Sequence, residues 1–193
     1  MSWTIDPAHS TVGFSAKHLG LSTVRGQFKK FDGEIDLDPN DPTTASGRAT
    51  IDVASIDTGN EQRDGHLRTG DFFEVEKYPT ITFDLKQVEK GDDDTYKVTG
   101  ALTIKGVTKD VVLDYEHAGS ATDPYGNTKA GGSLTGTINR TDWDLKWNVP
   151  LGGGGLLVSE RIKIEVEYQL AEAKEAVLEG AAAESKAAET VSS

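Results

Sequence analysis

The chain contains no cysteine among its 193 residues. This absence excludes a disulfide framework and a thiolate metal site, so packing alone has to hold the fold together. The sequence also lacks any run approaching the ~18 apolar residues of a membrane-spanning helix, and its opening, MSWTIDPAHS, has neither the basic nor the apolar region of a secretory signal. We therefore expect a protein without a membrane span that works in the cytoplasm, or in the periplasm or outside the cell if its N-terminus has been processed.

Positively charged residues are outnumbered in this sequence. There are 20 lysines and arginines against 32 aspartates and glutamates, which gives a net charge of -12 at pH 7. An electrostatic field of that sign repels nucleic acids and anionic membrane surfaces. The composition therefore argues against a nucleic-acid partner.

Sequence motifs for common catalytic and metal sites are absent as well. The histidines show no His-x-x-x-His or His-Glu-x-x-His spacing, and no serine lies in a Gly-x-Ser-x-Gly elbow. The glycine-rich run after Pro150 lacks the Gly-Lys-Ser/Thr ending of a phosphate-binding loop. We predict no catalytic residue, no metal site and no cofactor.

What the sequence does contain is a repeated alternation of apolar and polar residues, which is typical of half-buried β-strands. Each such strand has one apolar face that must be buried, and Lys105-Gly106 fits a two-residue hairpin turn. The alternation predicts an all-β fold over residues 1–170, a closed antiparallel up-and-down β-barrel of about eight strands. The apolar members of the alternating segments are Val12, Phe14 and Ala16; Ala49, Ile51 and Val53; Ile81, Phe83 and Leu85; Leu102 and Ile104; Val111, Leu113 and Tyr115; Leu134, Gly136 and Ile138; and Ile162, Ile164, Val166, Tyr168 and Leu170.

Two segments depart from the strand pattern. Residues 60–68 contain no β-branched residue and only Leu67 as a large hydrophobe, which predicts a short polar helix after the third or fourth strand. Residues 171–193 form an acidic tail rich in alanine and glutamate. Its composition favours helix but offers no sustained apolar stripe, so we expect it to be helical or disordered.

The interior of the predicted barrel has two interpretations. A barrel of about eight strands is either filled by its own side chains or wide enough to hold one small ligand. Glycines at inward positions, such as Gly100 and Gly136, are expected to leave part of the interior unfilled. Trp143 and Trp147 fit either a core position or the lining of the barrel mouth.

Function-capable side chains are concentrated in residues 55–83, SIDTGNEQRDGHLRTGDFFEVEKYPTITF. Three hypotheses fit the charged run of this stretch, which consists of Glu61, Arg63, Asp64, His66, Arg68 and Asp71. The run is an ion-paired helix in which Asp71 bonds backbone amides near Phe72, or its arginines contact a ligand head group, or an enzyme active site at the barrel mouth uses Arg63, Asp64 and His66.

Four segments of the chain together resemble a known family. They are WTIDPAHSTVGFSAKH (residues 3–18), GQFKKFDGEIDLDP (residues 26–39), the stretch 55–83 and YKVTGALTIKGVTKDV (residues 96–111). In this order they resemble the YceI-like polyisoprenoid-binding family, and the resemblance runs over about residues 3–170. It implies a lipocalin-like barrel that holds a long isoprenoid lipid.

The resemblance and the residue pattern lead to one functional hypothesis. The protein is expected to bind, store or transport a polyisoprenoid or similar long-chain lipid, such as a polyprenyl pyrophosphate or a quinone, without catalysis. Whether the chain forms a homodimer is left open. The residues predicted to contact the ligand are Phe14, Phe28, Arg63, His66, Arg68, Phe72, Phe73, Phe83, Leu102, Leu113, Leu134, Trp143 and Ile164.

Overall fold

In the computed structural model, which describes residues 1–92 and 95–173, eleven antiparallel strands form one sheet. A single α-helix of the described residues, α1, spans Glu61–Arg68. The described helices include none with the length and apolarity needed to cross a bilayer. The strands are β1 (Ser2–Ile5), β2 (Thr11–His18), β3 (Ser22–Phe28), β4 (Phe31–Asp38), β5 (Asp41–Asp52), β6 (Ile56–Asp57), β7 (Thr80–Lys90), β8 (Thr95–Ile104), β9 (Val107–Thr122), β10 (Thr128–Asn139) and β11 (Val158–Glu172).

The eleven strands make an eight-stranded barrel because two of its strands are interrupted and the two-residue β6 only extends the edge of β3. Both β1 and β2 pair with the same edge of β11, with Trp3 opposite Glu172 and Val12 opposite Val166. Their other edges pair with β4 and β3 in the same way. We count β1 and β2 as one barrel strand and β3 and β4 as the next. The other six strands follow in the order β5, β7, β8, β9, β10 and β11, and β11 closes the barrel by pairing with β1 and β2. The predicted up-and-down barrel is confirmed.

The alternation of the strands decides which side chains face inward. On β9, Val111, Leu113 and Tyr115 are buried, whereas Val112 between them is 60% exposed. The β8–β9 turn has positive φ at both Lys105 (50°) and Gly106 (74°), as a type I′ turn requires. This turn matches the right-handed twist of the strands it joins, so the predicted hairpin is confirmed.

One end of the barrel is closed by a tightly packed cluster. Trp3 and Leu170 are fully buried, with Leu37 and Ala130 packed beside them. The Trp3 indole donates to the Leu37 carbonyl at 2.9 Å, which satisfies its polar atom. This cluster forms the floor of the barrel.

The last strand continues beyond residue 170. Residues up to Glu172 belong to β11, and the backbone amide of Ala173 donates to the Ser2 carbonyl at 2.9 Å. The edge of the barrel therefore includes the first residues of the predicted tail. The rest of the predicted tail, residues 174–193, lies outside the described residues.

The polar helix predicted at residues 60–68 is confirmed and lies between β6 and β7. The side chain of Asn60 accepts a hydrogen bond from the Arg63 amide at 2.9 Å, which caps the first turn of α1. The helix is preceded by the third barrel strand, β5, and by the short β6, which pairs with β3. This position brings α1 to the end of the barrel opposite the Trp3 cluster.

Candidate functional site

A cavity of about 710 Å³ lies inside the barrel. Pockets of ~300–1,000 Å³ are the usual size for small-molecule sites. Most of the lining side chains are aliphatic or aromatic and come from the inward faces of the strands. Eleven of the thirteen predicted ligand residues line this cavity, namely Phe14, Phe28, Arg63, His66, Phe72, Phe73, Phe83, Leu102, Leu113, Leu134 and Ile164.

The glycines on the inner wall do not create this volume. A Cβ on Gly100 would overlap the ring of Phe83, and one on Gly136 would lie 2.5 Å from Cδ2 of Leu113. The expectation that these glycines leave the interior unfilled is therefore wrong. They give room to large side chains of the neighbouring strands, and the cavity remains between those side chains.

A hydrogen-bond network fixes α1 against the segment after β6. The Asp64 carboxylate is buried and accepts from the Thr58 amide at 2.9 Å and from the Thr58 hydroxyl at 2.5 Å. The Arg63 guanidinium donates to the same hydroxyl at 2.7 Å and to the Thr58 carbonyl at 2.8 Å. Asp64 therefore holds the helix in place instead of facing the mouth as the enzyme hypothesis requires, while Arg63 both binds Thr58 and lines the cavity.

Two predicted ligand residues lie away from the cavity wall. Arg68 donates to the carbonyls of Ala54 and Ile56, both at 3.0 Å, so its guanidinium ties α1 to the barrel. Trp143 is buried in the core, and its indole donates to the Leu102 carbonyl at 3.0 Å. Neither residue is part of the cavity wall, and Trp143 takes the core position, one of the two alternatives expected for it. For Trp143 the reason is local, because a 3₁₀ turn over Arg140–Trp143 ends the strand alternation of β10.

Three aromatic rings meet where α1 covers the cavity. His66, Phe72 and Trp147 contact one another with ring-centroid distances of 5.2, 4.8 and 5.3 Å, and all three line the cavity. The carboxylate of Asp71, expected to bond backbone amides near Phe72, accepts a hydrogen bond from His66 Nε2 at 2.7 Å. We call His66, Phe72 and Trp147 the aromatic cluster.

Arg140 is a site residue that the sequence analysis missed. It lines the cavity although only 4% of it is exposed. Nε donates to the Ser159 carbonyl at 3.0 Å and Nη1 donates to the Leu145 carbonyl. Burial lowers the pKa of the Arg140 guanidinium from its ordinary value, and the negative charge of Glu160 opposes that shift.

The sequence contained a signal for this arginine. Leu134 and Ile138 of β10 line the cavity, and two residues after Ile138 the same parity reaches Arg140. A charged residue at the end of an inward-facing row marks an exception to the apolar pattern. The alternating segment predicted from the sequence ends at Ile138, so its parity does not reach Arg140.

A polar chain lies at the other end of the cavity. The Tyr168 hydroxyl donates to the Tyr115 hydroxyl at 2.9 Å, which lies 2.7 Å from His117 Nδ1. His117 Nε2 donates to the Pro39 carbonyl at 2.8 Å, which leaves Nδ1 of a neutral imidazole to accept from Tyr115. Burial raises the pKa of both tyrosines above the ordinary value. Most of the cavity wall is therefore apolar, and its polar and charged members include Arg140, the tyrosine pair, and Lys17, Arg48, Arg63 and His66.

Comparison with known proteins yields relatives that match nearly their whole length. The chain is 40% identical over 174 residues to the UPF0312 protein SA2479 of Staphylococcus aureus (strain N315), covering 89% of this chain and 99% of the relative. It is also 40% identical to the YCEI protein of Campylobacter jejuni, whose crystal structure superimposes with a TM-score of 0.70 over 82% of this chain and 90% of that one.

A more distant structure shares the fold. A polyisoprenoid binding domain from Saccharophagus degradans, implicated in plant cell wall breakdown, superimposes with a TM-score of 0.63 at 19% identity, covering 88% of this chain and 97% of that one. The YceI-like domain family matches residues 3–170, from the first barrel strand to the buried end of the last. The chain therefore belongs to the YceI-like domain family.

Proposed function

We propose that the barrel binds a polyisoprenoid or similar long-chain lipid and carries or stores it without chemical change. The cavity of about 710 Å³, with its wall of aliphatic and aromatic side chains, carries this proposal. A hydrocarbon chain is the ligand that such a wall accommodates without leaving polar groups unpaired. The name of the Saccharophagus degradans domain supports an isoprenoid as the lipid class.

Apolar burial alone supplies enough free energy for such binding. Each CH₂ group transferred from water contributes ~0.8 kcal/mol, so ten buried groups contribute about 8 kcal/mol. That sum corresponds to a dissociation constant of about 1 μM before the cost of ordering the chain is subtracted. A longer isoprenoid gains more, and chain length should matter more than the details of the isoprene branching.

The proposal is tested by identifying and then excluding the ligand. Native mass spectrometry of protein purified from its own host should show a co-purifying lipid whose mass identifies it. Ile164→Trp should then weaken its binding at least tenfold, because Ile164 lines the cavity and the larger side chain occupies ligand volume.

Lys163→Trp is the matched control. Lys163 is the neighbour of Ile164 on β11 and lies exposed on the outer face of the barrel. This control should retain the lipid with unchanged affinity. If both variants keep the lipid, or if neither the host protein nor added polyprenyl ligands give a complex, the proposal is refuted.

A further inference from the structure

Four large apolar side chains are exposed at the end of the barrel that α1 covers. Leu19 and Leu21 lie in the β2–β3 turn, where Leu21 is 84% exposed, and Val149 and Leu156 lie in the segment that precedes β11. β11 begins beside them and ends in the Trp3 cluster, which places them opposite the floor. Single exposed hydrophobic side chains are normal on a protein surface, whereas a group of them marks an interaction site. We call these four residues the apolar rim.

Backbone hydrogen bonds bring the two parts of the rim together. The Leu19 amide donates to the Leu157 carbonyl at 2.8 Å, and the Leu157 amide donates to the Val149 carbonyl at 3.0 Å. The β2–β3 turn has positive φ at both Leu19 (56°) and Gly20 (68°), a conformation in which Asn, Asp or Gly is the usual choice. A leucine is therefore unfavourable for the backbone at this position, whereas its exposed side chain enlarges the apolar surface of the rim.

The rim is built from segments that contain no acidic residue. The chain has 32 aspartates and glutamates, yet none lies in residues 7–31 or 145–159. Lys17 and Lys146 lie near the rim in the chain and are exposed. Lys146 pairs with Asp144 at 2.9 Å, whereas Lys17 Nζ donates to the neutral Thr23 hydroxyl at 2.8 Å. The rim is therefore flanked by positive charge on a chain whose net charge is -12.

The cavity of the barrel extends to the base of the rim. His18 and Leu157, the chain neighbours of Leu19 and Leu156, line the cavity and are half-buried. Lys17 lines the cavity as well and is exposed. The cavity wall is therefore continuous with the outer surface at this point. A hydrocarbon that crosses the wall here stays out of water only if an apolar phase covers the rim.

We propose that the apolar rim docks on the surface of a lipid bilayer. The side chains of Leu19 and Leu21 enter the boundary between head groups and acyl chains, and the Lys17 ammonium stays among the head groups. This inference goes beyond the proposed lipid binding, because the rim residues lie outside the cavity wall. Docking gives a lipid carrier a direct route between membrane and cavity.

The charge distribution favours a bilayer that contains anionic lipids. At physiological salt, charges more than ~8 Å apart are largely screened, so the bilayer interacts mainly with the groups beside the rim. A lysine near an anionic surface contributes attraction, while the acidic remainder of the barrel is repelled and turns away from the membrane. A second copy of the chain fits the rim less well, because a symmetric contact would place the same cations on both sides.

Vesicle sedimentation tests the docking with the full chain. The probe is a vesicle of equal parts phosphatidylcholine and phosphatidylglycerol at physiological ionic strength. Removing one buried leucine from an apolar phase corresponds to about 10–150-fold in affinity, so Leu19→Ser/Leu21→Ser should weaken binding at least tenfold. Val112→Ser/Tyr125→Ser is the matched control, because it also removes two exposed large apolar side chains but from other parts of the surface. It should bind vesicles as the wild type does.

An added carboxylate tests the role of charge without removing an apolar group. Ser22→Glu places an acid beside Leu21 in the acid-free segment, and it should weaken binding to the mixed vesicles about fivefold. The loss should be smaller with vesicles of phosphatidylcholine alone. Ser46→Glu is the control, because Ser46 is exposed on β5, away from the rim. An equal loss in both serine variants would overturn the local attraction.

A fluorescent label reports which end of the barrel meets the bilayer. The chain contains no cysteine, so a single introduced thiol carries the only label. Nitrobenzoxadiazole on Ser22→Cys should shift its emission to shorter wavelength when vesicles are added, because the turn enters an apolar phase. The same label on Asn40→Cys, in the β4–β5 turn beside the floor, should not shift. Equal shifts at both sites would overturn docking through the rim.

Two variants distinguish this inference from the proposed lipid binding. Leu19→Ser/Leu21→Ser should still take up a polyprenyl ligand supplied in detergent, and Ile164→Trp should still bind vesicles. Failure of the wild-type chain to bind either kind of vesicle would overturn docking and leave uptake from detergent as a separate result. A dimer in light scattering that the leucine variant dissociates, without vesicle binding by the wild type, would assign the rim to a second copy and overturn the inference.

Discussion

Replacing Asp64 tests whether the charged run of α1 has a structural or a catalytic role. The Asp64 carboxylate is 6% exposed and accepts from both the amide and the hydroxyl of Thr58. In Asp64→Ala both donors lose their acceptor, and the half-buried Thr58 amide is left without its partner. The helix that covers the cavity then keeps only the contacts of Arg63 among those described between α1 and Thr58.

The expected cost follows from these two hydrogen bonds. A hydrogen bond to a charged group contributes ~1.5–3 kcal/mol, so the pair together with the unpaired amide predicts a loss of about 3 kcal/mol in the free energy of unfolding. For a chain of this size, each 1 kcal/mol lowers the melting temperature by ~2–4 °C. Asp64→Ala should therefore melt about 6–12 °C lower, and Asp64→Asn, which keeps one acceptor oxygen, should lose about half as much.

Urea unfolding measures this loss directly. The midpoint should fall while the denaturant slope stays unchanged, because the folded and unfolded states expose the same surface as before. Glu61→Ala is the control, since Glu61 lies in the first turn of the same helix but is exposed. It should cost less than ~1 kcal/mol, the usual limit for a charge interacting with an exposed helix terminus. A loss below about 0.5 kcal/mol for Asp64→Ala would refute the structural role.

Three further predictions concern the barrel itself. Deleting residues 174–193 should leave the melting temperature within a few degrees of the wild type. Deletion from residue 171 should lower it clearly, because two of the three residue pairs between β1 and β11 are lost. Burial raises the pKa of Tyr168 above its ordinary value. Above pH ~10 the unfolded chain therefore loses a proton that the folded chain keeps. The free energy of unfolding should fall by ~1.4 kcal/mol per pH unit for each such tyrosine. Tyr168→Phe should make that fall shallower in urea titrations at several alkaline pH values, and an unchanged slope would contradict the assignment. Gly100→Ala should cost ~1–3 kcal/mol because its Cβ overlaps the Phe83 ring, and Phe83→Leu in the same chain should recover part of the loss in thermal unfolding.

The sequence alone determined the barrel and most of its apolar wall. Successive side chains of a strand point to opposite faces, so the alternation in segments such as Ile162–Leu170 identified inward residues before any partner strand was known. The interrupted strands were harder to recognise. The four-residue β1 continues into β2 only through their shared partner β11, and β3 and β4 are aligned only because they pair with β2 and β1.

Tertiary structure decided the polar chemistry of the site. Hydrogen bonds between residues distant in the chain are not encoded in a local period. The sequence predicts Arg68 as a ligand contact, whereas in the structure its guanidinium donates to the carbonyls of Ala54 and Ile56. The same holds for Arg140, because its carbonyl partners, on Ser159 and Leu145, are brought to it by the tertiary structure. Periodicity specifies which face a side chain occupies, whereas the partner it meets there depends on how the strands close into a barrel.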